Sequence, residues 1–175
     1  MPRCNLMWHT ALMATHTPEQ TALAELDRLT SAFTQATTRL DTARDTLHAA
    51  IVRHLKARSA PPGKLADHTP YDRNHVGRLS KAAGVPPLRG PDAAPAPVYD
   101  EETERAALAE LDKLTAAFNR AQAKVDAARD PLQEAIVRHY SARTLTPGVI
   151  AEHVPYDRNH VGRIVKAAGA PLIRG

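Results

Sequence analysis

Apolar residues recur at heptad spacing along two long stretches of the chain. The first seam is formed by Leu26, Phe33, Leu40 and Leu47, each followed three residues later by Leu29, Ala36, Ala43 and Ala50. The second is formed by Leu111, Phe118, Val125 and Leu132, followed in the same way by Leu114, Ala121, Ala128 and Ala135. A seam of about four heptads predicts a long coiled-coil-like helix in each stretch. The alanines would let two such helices approach closely.

Local sequence signals give the bounds of these two helices. Thr17 is a favourable N-cap, with proline at the first helical position and Gln20 three residues after the cap. We therefore expect the first long helix over residues 18–57 and the second over 101–143. Asp130-Pro131 resembles a cap followed by a first helical residue, which predicts a kink or a restart of the second helix at Pro131.

A pair of short helices is predicted after each long one. In the second half a helix begins near Val149, Pro155 stops it, and Asp157 caps a helix that ends at Gly169. We expect a small core beneath this pair, formed by Ile150, Val154, Tyr156, Val161 and Ile164.

The chain contains one unit written twice. Residues 71–78 and 156–163 both spell Tyr-Asp-Arg-Asn-His-Val-Gly-Arg, 85 residues apart, and 43 of the 69 positions aligned in this register are identical. The predicted fold is all-α, with repeat 1 at 17–90, a Pro/Ala-rich linker at 91–100 and repeat 2 at 101–175. Residues 1–16 match nothing in the second half and receive no function.

The lengths of the helices and the linker favour an antiparallel arrangement. A helix over 18–57 is about 60 Å long at ~1.5 Å per residue, whereas the chain from Val85 to Asp100 spans at most about 53 Å. We therefore expect an antiparallel, pseudo-twofold hairpin of long helices with a pair of short helices near each end.

Charge is distributed unevenly over each repeat. Residues 53–90 carry a net +6 and residues 138–175 a net +4, whereas residues 18–52 carry −2 and residues 99–137 carry −4. A basic segment of this kind is typical of proteins that bind a polyanion. The other explanation is a solvated basic surface.

Composition excludes several classes of function. One cysteine, Cys4, allows no internal disulfide, and no apolar run approaches the ~20 residues that span a membrane, so we expect a cytoplasmic protein without a secretory signal. The nine histidines show no metal-ligand spacing, and His54 and His139 are interpreted as packing residues of the seam. No phosphate loop, nucleophile elbow or HExxH signature is present, so neither an enzyme nor a cofactor is predicted.

Residues 62–84 and 147–169 resemble the helix-turn-helix of bacterial DNA-binding proteins, in a form similar to small actinobacterial regulators. The pattern departs from that family at Pro70 and Pro155, where the turn usually carries glycine, and at Thr69, where it usually carries an apolar residue. The resemblance implies that the second short helix enters the major groove of double-stranded DNA and that the protein is associated with the nucleoid.

The predicted DNA-binding residues lie on and after that second helix. They are Arg73, Asn74, His75, Arg78 and Lys81 in the first copy and Arg158, Asn159, His160, Arg163 and Lys166 in the second, with Arg89 and Arg174 reaching phosphate or a minor groove. Arginine can grip guanine and asparagine adenine in bidentate fashion. Gly77 and Gly162, in mid-helix, indicate the close approach of a base pair or of a neighbouring helix.

These patterns predict a transcriptional regulator that reads two similar half-sites, arranged as an inverted repeat. Two other functions stay open: an architectural DNA-bridging protein with weak sequence preference, and a helical module that binds protein partners. Pairing of the long helices with a second copy of the chain also stays open.

Overall fold

The computed structural model describes residues 17–87 and 97–170, and this part of the chain is helical without strands. The six helices are α1 (Pro18–Ala57), α2 (Pro62–Asp67), α3 (Arg73–Ala82), α4 (Glu101–Ser141), α5 (Pro147–His153) and α6 (Arg158–Ala167). The all-α class is therefore confirmed. No helix within the described ranges is long and apolar enough to cross a membrane.

The two long helices begin at side-chain caps. At α1, the backbone N–H of Gln20 donates to Thr17 Oγ1 (3.2 Å) and the N–H of Thr17 donates to Gln20 Oε1 (3.1 Å), which is a reciprocal capping box. At α4, Asp100 accepts from both the N–H (2.8 Å) and the hydroxyl (2.7 Å) of Thr103, and these bonds lower the pKa of the Asp100 carboxyl. The observed bounds of α1 are those predicted from the capping sequence.

The second long helix differs from its prediction in two respects. It continues through Pro131 without a restart, and it ends at Ser141 rather than at residue 143. Pro131 is exposed while Leu132 beside it is fully buried, so packing holds the helix where one backbone hydrogen bond is lost. The earlier end reflects Arg143, whose φ of 55° is left-handed and terminates the helix.

The described residues fall into two compact units, which do not coincide with the sequence repeats. One unit combines the residues up to Thr30 with those from Gln133 onwards, and the other runs from Ser31 to Leu132. Each unit therefore contains the start of one long helix, the end of the other, and one pair of short helices.

In the unit from Ser31 to Leu132, the core joins α1, α2, α3 and α4. Its buried residues include Leu47, Ile51, Leu55, Leu65, Val76 and Leu111, with Tyr71 and Phe118 packed against them. His54 contacts Glu110, whereas Ala36 and Arg39 line a crevice together with Ala121 and Lys124. The segments of α1 and α4 in this unit therefore run antiparallel.

In the unit that contains α5 and α6, the largest fully buried side chains are Leu26, Ile136, Ile150, Val161 and Val165. Val154 is also buried, whereas Tyr156 and Ile164 are half-buried. Val165 thus fills the inward position that the sequence pattern assigned to Ile164, because α6 buries the face that carries Val161 and Val165, four residues apart.

Candidate nucleic-acid interface

The helices α3 and α6 begin at an aspartate cap. Asp72 Oδ1 accepts from the N–H of His75 at 2.6 Å, and Asp157 Oδ1 accepts from the N–H of His160 at 2.7 Å. These bonds satisfy backbone donors that the helix itself leaves unpaired. The aspartates therefore fix where each helix starts, and so which residues form its first turn.

Both helices end in the same way, at a glycine in the left-handed region. Gly84 has φ 67° and Gly169 has φ 72°, and the following N–H groups bond back to Ser80 O (3.0 Å) and Val165 O (3.2 Å). This is the Schellman arrangement, for which a residue without Cβ is preferred.

The turn before each helix is built without the left-handed residue that a glycine would supply. No residue from His68 to Asp72 or from His153 to Asp157 has a positive φ. In the first copy the hydroxyl of Thr69 donates to Ala66 O (3.1 Å) and lies 3.4 Å from the N–H of Tyr71. Thr69 thus uses its side chain to close the turn where the second copy buries the apolar Val154.

Most of the predicted DNA-binding residues lie on the exposed face of these helices. The exposed residues are Arg73, Asn74, Arg78 and Lys81 on α3 and Arg158, Asn159, Arg163 and Lys166 on α6. Within residues 17–87 and 97–170, the nearest carboxylate to any of their cationic groups is that of Asp67, 4.0 Å from Arg73. Apart from this contact between α3 and α2, these cations make no ion pair within the described ranges. Arg89 and Arg174 lie outside the described residues.

The two histidines of the predicted set are placed differently. His75 is half-buried and stacks on Tyr71 at 4.3 Å between ring centroids, and His160 stacks on Tyr156 at 4.6 Å. On the outer side Arg78 Nη2 lies 3.5 Å from His75 Nδ1, and Arg163 Nη2 lies 3.3 Å from His160 Nδ1. Each half-buried histidine thus contacts the guanidinium of an exposed arginine, and its own ring is not part of the exposed face.

Beneath the first stack lies a further histidine, His48. Its ring is 5.0 Å from Tyr71 and 5.4 Å from His75, and Nε2 of both histidines and Oη of Tyr71 are buried with no hydrogen-bond partner within the described residues. Burial lowers the pKa of His48, with a smaller contribution from the neighbouring His75 and Arg44, and burial raises the pKa of Tyr71. The second copy carries Gln133 in place of His48.

Gly77 and Gly162 face open space. A Cβ added at either position would meet no atom within 4 Å apart from the helix's own backbone. Of the two explanations offered by the sequence, a neighbouring helix is therefore excluded for the described part of the molecule.

The short helices are held by acidic residues on the early part of a long helix from the other repeat. His68 Nδ1 lies 2.8 Å from Asp112 Oδ1, and the hydroxyl of Thr115 donates to His68 O (3.0 Å). In the other unit His153 pairs with Asp27 (2.7 Å), and Thr30 donates to His153 O (2.9 Å). These pairs bind the end of α2 and of α5.

A glutamate in each unit binds the end of a long helix. Glu110 accepts from Arg53 (2.6 Å) and contacts His54 Nε2 (3.1 Å), while His54 Nδ1 lies 3.3 Å from Ser59 Oγ. The bond from Arg53, and to a smaller extent that from His54, lowers the pKa of Glu110. Glu25 is held in the same way by Arg138 (2.6 Å) and His139 (2.9 Å), which lower its pKa.

These ion pairs were not predicted from the sequence. The available signal was the segment Glu-Leu-Asp-x-Leu-Thr, which occurs in both repeats at residues 25–30 and 110–115. These four acidic side chains are thus paired with basic residues other than those on α3 and α6. No group of three or more His, Cys, Asp or Glu side chains in the described ranges is arranged to hold a metal ion.

Comparison of the chain with protein-family models, with curated proteins and with solved structures finds no match.

Proposed function

We propose that the protein binds double-stranded DNA and regulates transcription. In this proposal α2–α3 and α5–α6 are two helix-turn-helix heads, and α3 and α6 each lie in a major groove. The observation that carries the proposal is the pair of exposed, matched sets of cations and asparagines on these helices, which no carboxylate of the long helices neutralises. An acidic scaffold that paired with these arginines would have removed them from any contact with phosphate or bases.

The residue types match the chemistry of base edges. A guanidinium can donate two hydrogen bonds to O6 and N7 of guanine, and a carboxamide can pair with N6 and N7 of adenine. Asn74 and Arg73 occupy the first turn of α3, where such motifs meet bases, and Arg78 is braced by His75. Open space at Gly77 allows a base pair or a backbone phosphate to come close to the helix.

The two heads carry the same residues, so two similar half-sites are proposed. Equivalent contacts occur in both units with the roles of the repeats exchanged: Glu110 meets His54 in one, and Glu25 meets His139 in the other. This exchange of roles is the reason that an inverted-repeat site is proposed rather than a direct repeat.

Selection of bound sequences from a random duplex library tests this function. We expect an enriched motif containing two related half-sites, and binding at least about 10³-fold tighter than to unrelated duplex. Binding of all sequences with equal affinity would instead support an architectural protein. Absence of binding to any duplex at 50 mM salt would refute DNA binding and leave a protein-interaction module.

A matched pair of variants tests the assigned residues. Arg73→Ala with Arg158→Ala removes two contacts of about 1–3 kcal/mol each, so affinity for the selected site should fall roughly 30-fold to 10⁴-fold. The control, Arg28→Ala with Lys113→Ala, removes the same charge from equivalent exposed positions of the long helices. An equal loss in both double variants would contradict base reading by α3 and α6.

A further inference from the structure

A groove in the unit from Ser31 to Leu132 has the properties of a small-molecule site. Its volume is about 560 Å³, and it lies between the end of α1, the start of α2, one side of α3 and the segment after Gly84. This volume is within the roughly 300–1,000 Å³ of typical ligand sites. The groove lies on one side of the residues assigned to DNA, and the proposed DNA contacts do not account for its apolar part.

The floor of the groove is apolar and comes from three separate elements. Leu55 of α1 is 3% exposed, Val76 of α3 is 1% exposed, and Val85 after α3 is 8% exposed. Pro62 and Pro86 continue this surface. A floor of this kind binds the apolar body of a ligand by removing its surface from water.

The rim of the groove is cationic. Arg58, Arg73 and Lys81 line it, and no aspartate or glutamate is among the lining residues. Arg58 donates one hydrogen bond to Pro86 O (2.8 Å), which holds its guanidinium at the edge of the groove. Asp67, which does not line the groove, lies 4.0 Å from Arg73, whereas Arg58 and Lys81 pair with no carboxylate of the described residues. The rim therefore keeps a net positive charge for a ligand that brings a negative one.

We propose that this groove binds a small organic anion with an apolar body, of the aryl carboxylate class. The ring lies on Leu55, Val76 and Val85, and the carboxylate is held by Lys81 and Arg73. Gly77 leaves space for the ring of the ligand, because any larger side chain at this position would enter the groove.

The ligand also competes with DNA, a consequence that rests on the proposed function. Arg73, Gly77 and Lys81 line the groove and belong to the face of α3 assigned to the major groove. A bound carboxylate neutralises cations that would otherwise meet phosphate or guanine, and its ring occupies the space beside Gly77. The ligand is therefore expected to weaken binding of DNA by the first head.

The second copy supplies a matched control. Tyr140 replaces Leu55, Val165 replaces Ser80 and Ala170 replaces Val85. Tyr140 is larger than Leu55, and Val165 lacks the hydroxyl of Ser80. The equivalent surface in the second copy is therefore different. We therefore expect the site in the first copy alone.

Direct binding is measured with indole-3-acetate on the full-length, ¹⁵N-labelled protein, with the uncharged indole-3-acetamide as the comparison. We expect saturable shifts of the amides of Gly63, Gly77 and Ser80 with a dissociation constant on the order of 1 mM. The amides of Gly148 and Gly162 should not move. Equal binding of indole-3-acetamide, or no shift of these backbone amides at 5 mM indole-3-acetate, would overturn the proposal.

Two variants of the groove, each with a matched control in the second copy, separate the groove from the rest of the surface. Gly77→Leu should abolish the saturable shifts and Gly162→Leu should leave them unchanged; Lys81→Glu should weaken binding at least 10-fold and Lys166→Glu should not. Because these titrations contain no DNA, their failure is distinguishable from failure of the proposed function, and displacement of a labelled duplex is measured separately.

Discussion

Replacement of Glu110 by glutamine removes a carboxylate that ties the start of α4 to the end of α1. In the wild-type chain this group accepts from Arg53 and contacts His54, whose side chain is only 10% exposed. Glutamine keeps the shape and one acceptor oxygen but loses the charge. We expect Glu110→Gln to destabilise the unit that contains α2 and α3.

The size of the effect follows from the exposure of the partners. Arg53 is 59% and Glu110 is 42% exposed, so this ion pair contributes only about 0.2–1 kcal/mol. The contact with the buried His54 adds a charge-assisted hydrogen bond, discounted because the carboxylate is partly solvated. We expect a total loss of about 1 kcal/mol in the free energy of unfolding at pH 7.

The contribution of Glu110 to the free energy of unfolding depends on pH. The hydrogen bond from Arg53 lowers the pKa of Glu110 below its ordinary value of 4.5. The folded state therefore binds this proton less tightly than the unfolded state, so the carboxylate stabilises the fold above pH 4.5. That contribution is lost as the pH falls through the lower pKa of the folded state. The difference between wild type and Glu110→Gln should be full at pH 7 and vanish in acid.

Urea unfolding followed by circular dichroism, at pH 7 and at steps below pH 4.5, measures this difference. Glu101→Gln is the control, because Glu101 is 92% exposed and its partner within the described residues is Arg105, one turn away. This variant should change the free energy of unfolding by less than about 0.5 kcal/mol. Glu25→Gln should reproduce the result in the other unit, since Arg138 and His139 lower the pKa of Glu25 in the same way. A cost that is the same in acid and at pH 7, or no larger than that of the control, would refute the reasoning.

Three further variants test local features of the structure. Asp157→Ala should lower the free energy of unfolding by about 1 kcal/mol, whereas Asp157→Asn should lower it little, because only alanine removes the acceptor for the N–H of His160. Equal losses of stability for the two variants in thermal melts would contradict the capping role. Arg143→Gly should raise the unfolding free energy by roughly 0.5–1 kcal/mol, since φ at this position is 55°; a loss of stability would show that the side chain matters more than the backbone. His48→Gln, which copies Gln133, should remove a loss of stability that sets in as the pH falls through 6.5, because burial lowers the pKa of His48 below that value and the folded state resists its protonation. Unchanged pH dependence of the unfolding free energy in urea titrations would exclude this source.

The parts of the fold that depend on neighbouring residues could be predicted from the sequence. Thr17, Pro18 and Gln20 start α1 by contacts within one turn, and Asp157 caps α6 in the same local way. The end of α4 was missed because Arg143 adopts a left-handed φ that is ordinarily a glycine conformation, and no propensity marks an arginine for this role. The restart at Pro131 was predicted from local preference, which the packing of Leu132 overrides.

The parts of the site that depend on distant residues could not be predicted. The exposed positions on α3 follow from helical periodicity, so Arg73 and Arg78 were assigned correctly to the outer face. His75 was assigned to the same face because the periodic pattern does not contain Tyr71, the ring on which it stacks. The pairing of His68 with Asp112 requires the register between two long helices, which no single segment encodes.

Differences between the two copies show which positions folding leaves unconstrained. Exposed residues of the long helices differ between the repeats, as at Thr34 and Asn119 or Thr38 and Ala123, which is expected because surface substitutions usually change stability by less than about 0.5 kcal/mol. Even supporting positions in the heads differ, as at Thr69 and Val154.

The exposed residues of α3 and α6 do not follow this rule. Every exposed position from Asp72 to Ala82 is matched by the same residue from Asp157 to Ala167, whereas the half-buried Ser80 is replaced by the buried Val165. The buried Val76 is matched by Val161, as packing requires, but stability alone would leave the exposed positions free to differ. This pattern supports the proposed contact of both heads with the same external ligand, because the arginines and the asparagine on that face have the donors and acceptors that the proposal assigns to base edges and phosphates.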